Sequence, residues 1–108
     1  MRAAAVLFFL AAASPVLANT SRTVAVELKN HRFTPATVTV RAGERIIIQL
    51  NNRDMATEEF DSRDLRVERL VTPGGRTSFQ VGPLTPGDYR FMGEFHPATA
   101  QGRIVVTP

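Results

Sequence analysis

A regular alternation of apolar and polar residues limits the fold of this chain more than any other feature. The alternating segments are 24–28, 38–40, 46–50, 79–81, 89–91 and 104–106. Alternation with a period of two is typical of strands that bury one face, and glycine and proline turns separate the segments. Helical periodicity covers only one turn at 62–65, which Ser62 or Asp61 would cap. The pattern therefore predicts an all-β antiparallel sandwich or barrel of seven or eight strands.

The N-terminus has the features of a secretory signal peptide. Met1-Arg2 supplies a positive start, Ala3–Ala13 an apolar run, and Val16-Leu17-Ala18 a small-residue cleavage pattern. The apolar run is shorter than the roughly 20 residues that span a bilayer. We predict a signal peptide over residues 1–18 and one domain over residues 19–108. The mature protein would then be periplasmic and soluble, with no membrane-spanning segment.

The composition excludes several functional classes. The chain has no cysteine, which rules out disulfides, thiolate metal sites and thiol redox chemistry. The basic residues, nearly all arginine, alternate with acidic ones around 61–69, as on a solvated face rather than a nucleic-acid interface. No serine, histidine and acid combination points to a hydrolytic enzyme. We expect no nucleic-acid partner and no hydrolytic site.

Two segments contain residues suited to chemistry. Residues 51–61 form a loop and short strand rich in oxygen donors, and residues 92–97 read Met-Gly-Glu-Phe-His-Pro. Strand alternation places Met92 and Glu94 on one face and Gly93 on the core face. Glycine inside a strand often marks close approach by another group.

These motifs resemble those of the cupredoxin family. The resemblance covers about Val24 to Val106 and is most specific in the Leu-x-Pro-Gly-x-Tyr and Tyr-x-Phe-x-Gly-x-x-His patterns of residues 84–96, with Asn51-Asn52 before and Gly102 after them. It implies a cupredoxin-like Greek-key antiparallel β-sandwich of seven or eight strands.

The sequence departs from the blue-copper members of that family at the ligand positions. Of the family's copper ligands, only the histidine of the late loop matches, at His96. The cysteine position falls on Gly93, the methionine position near Ala100, and the first histidine position near Thr57 or Glu58. Without a thiolate, a blue-copper electron-transfer site cannot form.

A narrower group resembles the chain more closely. Glu58–Ser62, Leu65–Glu68, Gly82-Pro83-Leu84 and Phe91–Pro97 are similar to small periplasmic cupredoxin-like proteins associated with bacterial ferrous-iron permeases. The resemblance implies binding of copper or iron, and a role as an iron-oxidising or metal-delivery partner of an inner-membrane permease or another uptake component. Whether the protein itself oxidises iron stays open.

The candidate metal ligands follow from the two segments and the resemblance. They are His96, Glu94, Glu59, Glu58, Glu68 and Met92. Carboxylates with imidazole suit Fe(II), Fe(III), Mn(II) or Cu(II). Adjacent residues of a strand point in opposite directions, so only one of Glu58 and Glu59 should face a shared site, and the sequence leaves that choice open.

Each candidate also has a plainer interpretation. Glu68 could pair across strands with Arg66, Arg69 or Arg90, and both Met55 and Met92 could simply pack. We assign His31 to an ordinary turn, away from the two loops.

Two other functions remain open from the sequence. The domain could be an electron-transfer accessory, or a metal-free β-sandwich interaction module. Convergence of Glu94 and His96 with Glu58, Glu59 or Glu68 would favour the metal site over the empty scaffold.

Overall fold

The computed structural model describes residues 3–5 and 21–108, so most of the predicted signal peptide lies outside the described residues. Nine strands follow one another along the described chain. They are β1 (Ser21–Lys29), β2 (Arg32–Thr34), β3 (Thr37–Arg41), β4 (Arg45–Asn52), β5 (Glu58–Ser62), β6 (Val67–Val71), β7 (Arg76–Val81), β8 (Gly87–Gly93) and β9 (Gln101–Thr107). The described part of the chain contains no helix long and apolar enough to cross a membrane.

The strands form two sheets, which confirms the predicted all-β class. The orders are β2-β1-β4-β7 and β3-β9-β8-β5-β6. Two details differ from the prediction. The described chain has nine strands instead of the predicted seven or eight, and the three-residue strand β2 is too short to show an alternation. The pairs β1·β4 and β3·β9 are parallel, whereas the other pairs are antiparallel. Each parallel pair joins distant segments, and a local pattern does not specify strand direction.

The core lies between the sheets and includes an aromatic group centred on Phe60. The ring of Phe60 lies 4.8 Å from Phe91, 4.9 Å from Phe79 and 5.9 Å from Phe33, measured between centroids. Phe33 is the only buried residue of β2, and its ring also meets Phe91 edge-on at 5.1 Å. Phe33 therefore anchors the β1–β2 hairpin against the core, two residues from His31.

The turn after β5 decides the role of two residues that the sequence left open. The hydroxyl of Ser62 accepts the backbone N–H of Leu65 at 3.0 Å and donates to the carbonyl of Arg90 at 2.6 Å. Ser62 therefore caps the turn. Asp61, the other candidate cap, faces Glu94 and raises the pKa of that carboxyl.

Candidate metal centre

Glu58, the first residue of β5, is a buried carboxylate with only 1% of its surface exposed. Its Oε1 accepts the backbone N–H groups of Phe95 at 2.8 Å and Glu59 at 3.0 Å. Its Oε2 lies 2.6 Å from Nδ1 of His96. A buried carboxylate is costly unless it is paired and hydrogen-bonded, and these three contacts meet that requirement.

Gly93, the last residue of β8, provides the space for this carboxylate. A Cβ at position 93 would lie 2.7 Å from Cδ of Glu58 and 2.7 Å from Cβ of Ala100. Gly93 is buried, which confirms the predicted core face. The group that approaches it is the Glu58 carboxylate, so a side chain at 93 and Glu58 in its present position exclude each other.

His96 lies in a compact turn between β8 and β9. Its N–H donates to the carbonyl of Gly93 at 3.1 Å, and its carbonyl accepts the N–H groups of Thr99 and Ala100 at 3.2 and 2.9 Å. The backbone is thereby fixed at the same point where Glu58 holds the imidazole. Hydrogen bonds therefore position both the backbone and the imidazole of His96.

His31 lies against His96, contrary to the expectation of an ordinary turn residue. Asn30 and His31 form the two-residue connection between β1 and β2, which Lys29 and Arg32 close as a pair. The two imidazole rings stack with centroids 3.6 Å apart and planes 11° from parallel. A turn residue on the first hairpin therefore contacts the late loop.

Asp54, from the β4–β5 loop, contacts the hairpin at the same place. Its two carboxylate oxygens accept the backbone N–H groups of Asn30 at 2.6 Å and His31 at 2.9 Å, and Oδ2 lies 3.4 Å from Nδ1 of His31. Burial alone would raise the pKa of Asp54. The two backbone N–H groups and the nearby imidazoles of His31 and His96 outweigh it and hold the pKa below its usual value.

We call His31, Glu58 and His96 the inner cluster. One nitrogen or oxygen donor from each of these residues lies within 4.8 Å of the others. Donors that share a transition-metal ion have bonds of about 2.0–2.2 Å and so lie up to about 4 Å apart. Two imidazoles and one carboxylate thus suit such an ion once the donors move closer together and one of the two stacked rings turns.

The remaining predicted carboxylates, Glu59, Glu68 and Glu94, form a separate group with Asp61 on the outer face of the same sheet. We call Glu59, Asp61, Glu68 and Glu94 the outer carboxylates. Asp61 is opposite Glu68 and Met92 in the strand register, and Glu94 follows β8 directly. The pKa of Glu94 is raised, because it shares a hydrogen bond with Asp61 and is repelled by its charge, with smaller contributions from desolvation, Glu59 and Glu68.

The predicted ligands therefore divide between two places. His96 converges with Glu58, which answers the question of which adjacent glutamate faces inward. Glu59, Glu68 and Glu94 lie with the outer group. Met92 is 39% exposed on that outer face, and Met55 is 97% exposed, so the expectation that Met55 packs was wrong because it lies in the open β4–β5 loop.

The contribution of His31 was missed, although the sequence contains a signal for it. A two-residue hairpin of this kind requires positive φ at both central residues and favours Asn-Gly. Here the residues are Asn30 and His31, with φ of 52° and 56°. A histidine where glycine is the easiest choice indicates a requirement for its side chain.

A family model for the cupredoxin-like domain matches residues 1–106. The chain belongs to the cupredoxin-like domain family. This membership, together with the two-sheet architecture, confirms the predicted cupredoxin-like sandwich.

A curated relative matches most of the chain. The uncharacterized protein RP394 of Rickettsia prowazekii (strain Madrid E) is 40% identical to this cupredoxin-like chain over 83 residues, which are 77% of the chain. The match spans 66% of the length of that relative.

Solved structures with the same fold come from copper proteins. The metal-binding domain of the Cu(I)-exporting P-type ATPase CopA of Streptococcus pneumoniae D39, determined with Cu(I), has a TM-score of 0.74 and 12% identity over 83% of this chain and 89% of that one. Auracyanin A, a "blue" copper protein of Chloroflexus aurantiacus, has a TM-score of 0.71 and 15% identity over 82% of this chain and all of that one. At these identities the similarity shows the fold.

This cupredoxin-like chain thus shares its fold with copper-binding proteins, but its own donors are imidazole and carboxylate. It has no cysteine, and the Glu58 carboxylate fills the space beside Gly93. The ligand chemistry must therefore be inferred from the inner cluster itself.

Proposed function

We propose that this protein binds one transition-metal ion, copper or iron, through the inner cluster. The convergence of His31, Glu58 and His96 at one end of the sandwich carries this proposal. Nitrogen and oxygen donors suit Cu(II), and a set of two histidines and one carboxylate also suits Fe(II). Imidazole and carboxylate are poor partners for Cu(I), which prefers sulfur.

Glu58 and His96 supply the fixed half of the proposed site. The Glu58 carboxylate contacts Nδ1 of His96 and holds the imidazole in one orientation. Glu58 is in turn held by two backbone N–H groups. Little reorganisation of these two side chains is required before an ion binds.

His31 supplies the adjustable half. An imidazole binds metal in the plane of its ring, and two rings 3.6 Å apart and nearly parallel have no shared in-plane point nearby. One ring must turn before both can bind the same ion. His31 is the one free to turn, because its side chain is 41% exposed, against 30% for His96, and its contact with Asp54 is 3.4 Å against 2.6 Å for the His96 contact with Glu58.

The bound ion would supply the redox chemistry, since no side chain of this chain is a thiol. An anionic oxygen ligand such as Glu58 favours the harder Fe(III) over Fe(II), and so favours iron oxidation. We therefore place the protein in periplasmic iron uptake, where it holds copper or iron and delivers it to a permease, or holds Fe(II) while an external electron acceptor oxidises it. The resemblance to permease-associated proteins supports this setting.

Calorimetric titration of the purified, tag-free protein with Cu(II), and anaerobically with Fe(II), tests the proposal. We expect one ion per chain, strong loss of binding in His96→Ala, and retained binding in the matched outer variant Glu94→Ala. The same titrations identify the preferred ion.

Binding that survives His96→Ala unchanged, or no binding by the unmodified protein, would overturn the inner-cluster assignment. Absence of binding by the unmodified protein would favour the metal-free interaction module as the function of this domain. Reversible reduction of the bound ion without delivery to a chelator would instead favour the electron-transfer accessory.

A further inference from the structure

The tip of the β1–β2 hairpin is held by a single side chain from another loop. Asp54 accepts the N–H groups of both tip residues, Asn30 at 2.6 Å and His31 at 2.9 Å. These are also the two tip residues with positive φ. We propose that Asp54 is the positioning residue for His31, holding the tip in the conformation that places this imidazole beside His96 for metal binding. The inference rests on the proposed function.

The tip needs such a partner because its conformation is unfavourable for its residues. Non-glycine residues adopt positive φ less readily than glycine does, although asparagine and histidine tolerate it better than most. Hydrogen bonds to a charged acceptor are stronger than those between neutral groups. The two bonds to Asp54 therefore help to hold Asn30 and His31 in a turn that Asn-Gly would adopt more easily.

Asp54 is itself fixed to the frame of the sandwich. Its N–H donates to Oδ1 of Asn52 at 3.0 Å, and Asn52 is fully buried at the end of β4. The amide of Asn52 donates to the carbonyls of Ala56, Val71 and Thr72 at 2.8, 3.1 and 3.2 Å. A continuous series of hydrogen bonds thus runs from β6 through Asn52 and Asp54 to the backbone of His31.

The arrangement fixes the backbone of His31 more firmly than its ring. The backbone N–H groups of Asn30 and His31 lie 2.6 and 2.9 Å from the Asp54 carboxylate. The ring contact is longer, because Oδ2 of Asp54 and Nδ1 of His31 are 3.4 Å apart. The ring can therefore turn about its side-chain torsions while its starting point stays fixed. This combination suits a ligand whose ring must leave its stack on His96 before both imidazoles bind the same ion.

A double-mutant cycle measures whether Asp54 acts through His31. We would titrate Cu(II) and Zn(II) into the full-length protein and the variants Asp54→Ala, His31→Ala and the double variant. Loss of a group that orients a metal ligand costs about 10–100-fold in affinity. We expect a loss of this size for Asp54→Ala and for His31→Ala, and no further loss when Asp54→Ala is added to His31→Ala.

Asp64→Ala is the matched control, since Asp64 also accepts a backbone N–H across the fold, from Arg90 at 2.8 Å, but away from the inner cluster. It should leave metal affinity unchanged. If Asp54→Ala does not fold fully, Asp54→Asn keeps one acceptor oxygen and should show an intermediate loss.

The metal-free protein gives a second readout. Stacked imidazoles shift each other's ring protons in the NMR spectrum and give a cross-relaxation contact between His31 and His96. In Asp54→Asn the ring-proton shifts and the cross-relaxation contact between His31 and His96 should both weaken, while the amide signals of β7 and β9 stay in place.

Three results would overturn the proposal. The first is an unchanged metal affinity in Asp54→Ala. The second is that Asp54→Ala lowers the metal affinity equally in the unmodified protein and in the His31→Ala background. The third is that the NMR signs of the histidine stack are unaltered in Asp54→Asn. Failure of the proposed function itself looks different, because His96→Ala would then also leave binding unchanged.

Discussion

Glu58 and Glu59 are neighbours in one strand, yet they belong to groups of opposite character. Glu58 points inward, where two backbone N–H groups and His96 satisfy its carboxylate. Glu59 points outward, where it adds to the charge that raises the pKa of Glu94. The inner cluster is thus a carboxylate in contact with one imidazole and with a second imidazole beside it, whereas the outer carboxylates repel one another.

The difference shows what makes a carboxylate a candidate ligand. A count of acidic residues favours the outer group, which has four carboxylates and no ion pair with arginine among the described residues. The inner cluster has one carboxylate in contact with an imidazole, held by a backbone that cannot easily move. Fixed geometry and mixed donors, rather than charge density, distinguish it.

The largest expected effect comes from removing the inner carboxylate. Glu58→Ala leaves the N–H groups of Phe95 and Glu59 without their acceptor and His96 without its partner. We expect the free energy of unfolding to fall by about 3–5 kcal/mol. Urea unfolding at neutral pH measures it.

Glu94→Ala is the matched change in the outer group and should leave the urea midpoint nearly unchanged. Equal losses in the two variants would remove the distinction between the groups.

The next effect concerns the space that separates β8 from Glu58. Gly93→Ala places a Cβ 2.7 Å from both Cδ of Glu58 and Cβ of Ala100, and should cost about 1–3 kcal/mol through overpacking. Part of this cost should disappear in a Glu58→Ala background, because one of the two clashes is gone. Strictly additive free energies of unfolding would show that the carboxylate does not occupy this space.

Acid should act in opposite directions through Asp54, which lies beside the inner cluster, and through the outer carboxylate Glu94; the larger effect is expected from Asp54. The pKa of Asp54 is lowered in the folded state, so its contribution is complete above the unfolded-state pKa and is lost as the pH falls through the folded-state pKa. At neutral pH, Asp54→Asn should lower the free energy of unfolding by about 1–2 kcal/mol. The gap to the unmodified protein should close in acid, and a gap that widens there would contradict the assignment.

The smallest effect is expected from Glu94. Its pKa is raised, so its favourable contribution is present below the unfolded-state pKa and is lost as the pH rises through the folded-state pKa. Glu94→Gln should therefore match the unmodified protein in acid and gain slightly in urea midpoint at neutral pH. Added salt should shrink this gain by screening the outer carboxylates. A gain that is independent of salt would indicate another cause.

The sequence predicted those parts of the fold that depend on local pattern. Alternation located the longer strands, the turn residues separated them, and strand parity placed Gly93 inward and Met92 and Glu94 outward, as the structure shows. The inner position of Glu58 beside His96 was one of the alternatives that remained open. These results follow because a strand fixes the direction of each side chain relative to its neighbours.

The rest depended on contacts between distant segments. Glu94 and His96 are two residues apart, which would place them on one face of a strand, but β8 ends at Gly93 and the chain turns. Their side chains therefore separate. The stack of His31 on His96 required knowledge that the first hairpin reaches the late loop, and that depends on Phe33 packing against Phe91 and on Asp54 holding the tip.

The Asn30-His31 tip also has a consequence for protein engineering. Replacing His31 with glycine would give the hairpin its preferred Asn-Gly turn and raise the melting temperature, so a stability-guided redesign would select it early. The same substitution would delete an imidazole from the inner cluster. A thermostable version of this protein obtained in that way would keep the sandwich and lose a proposed ligand, so screens for improved variants need a metal-binding assay beside the thermal one.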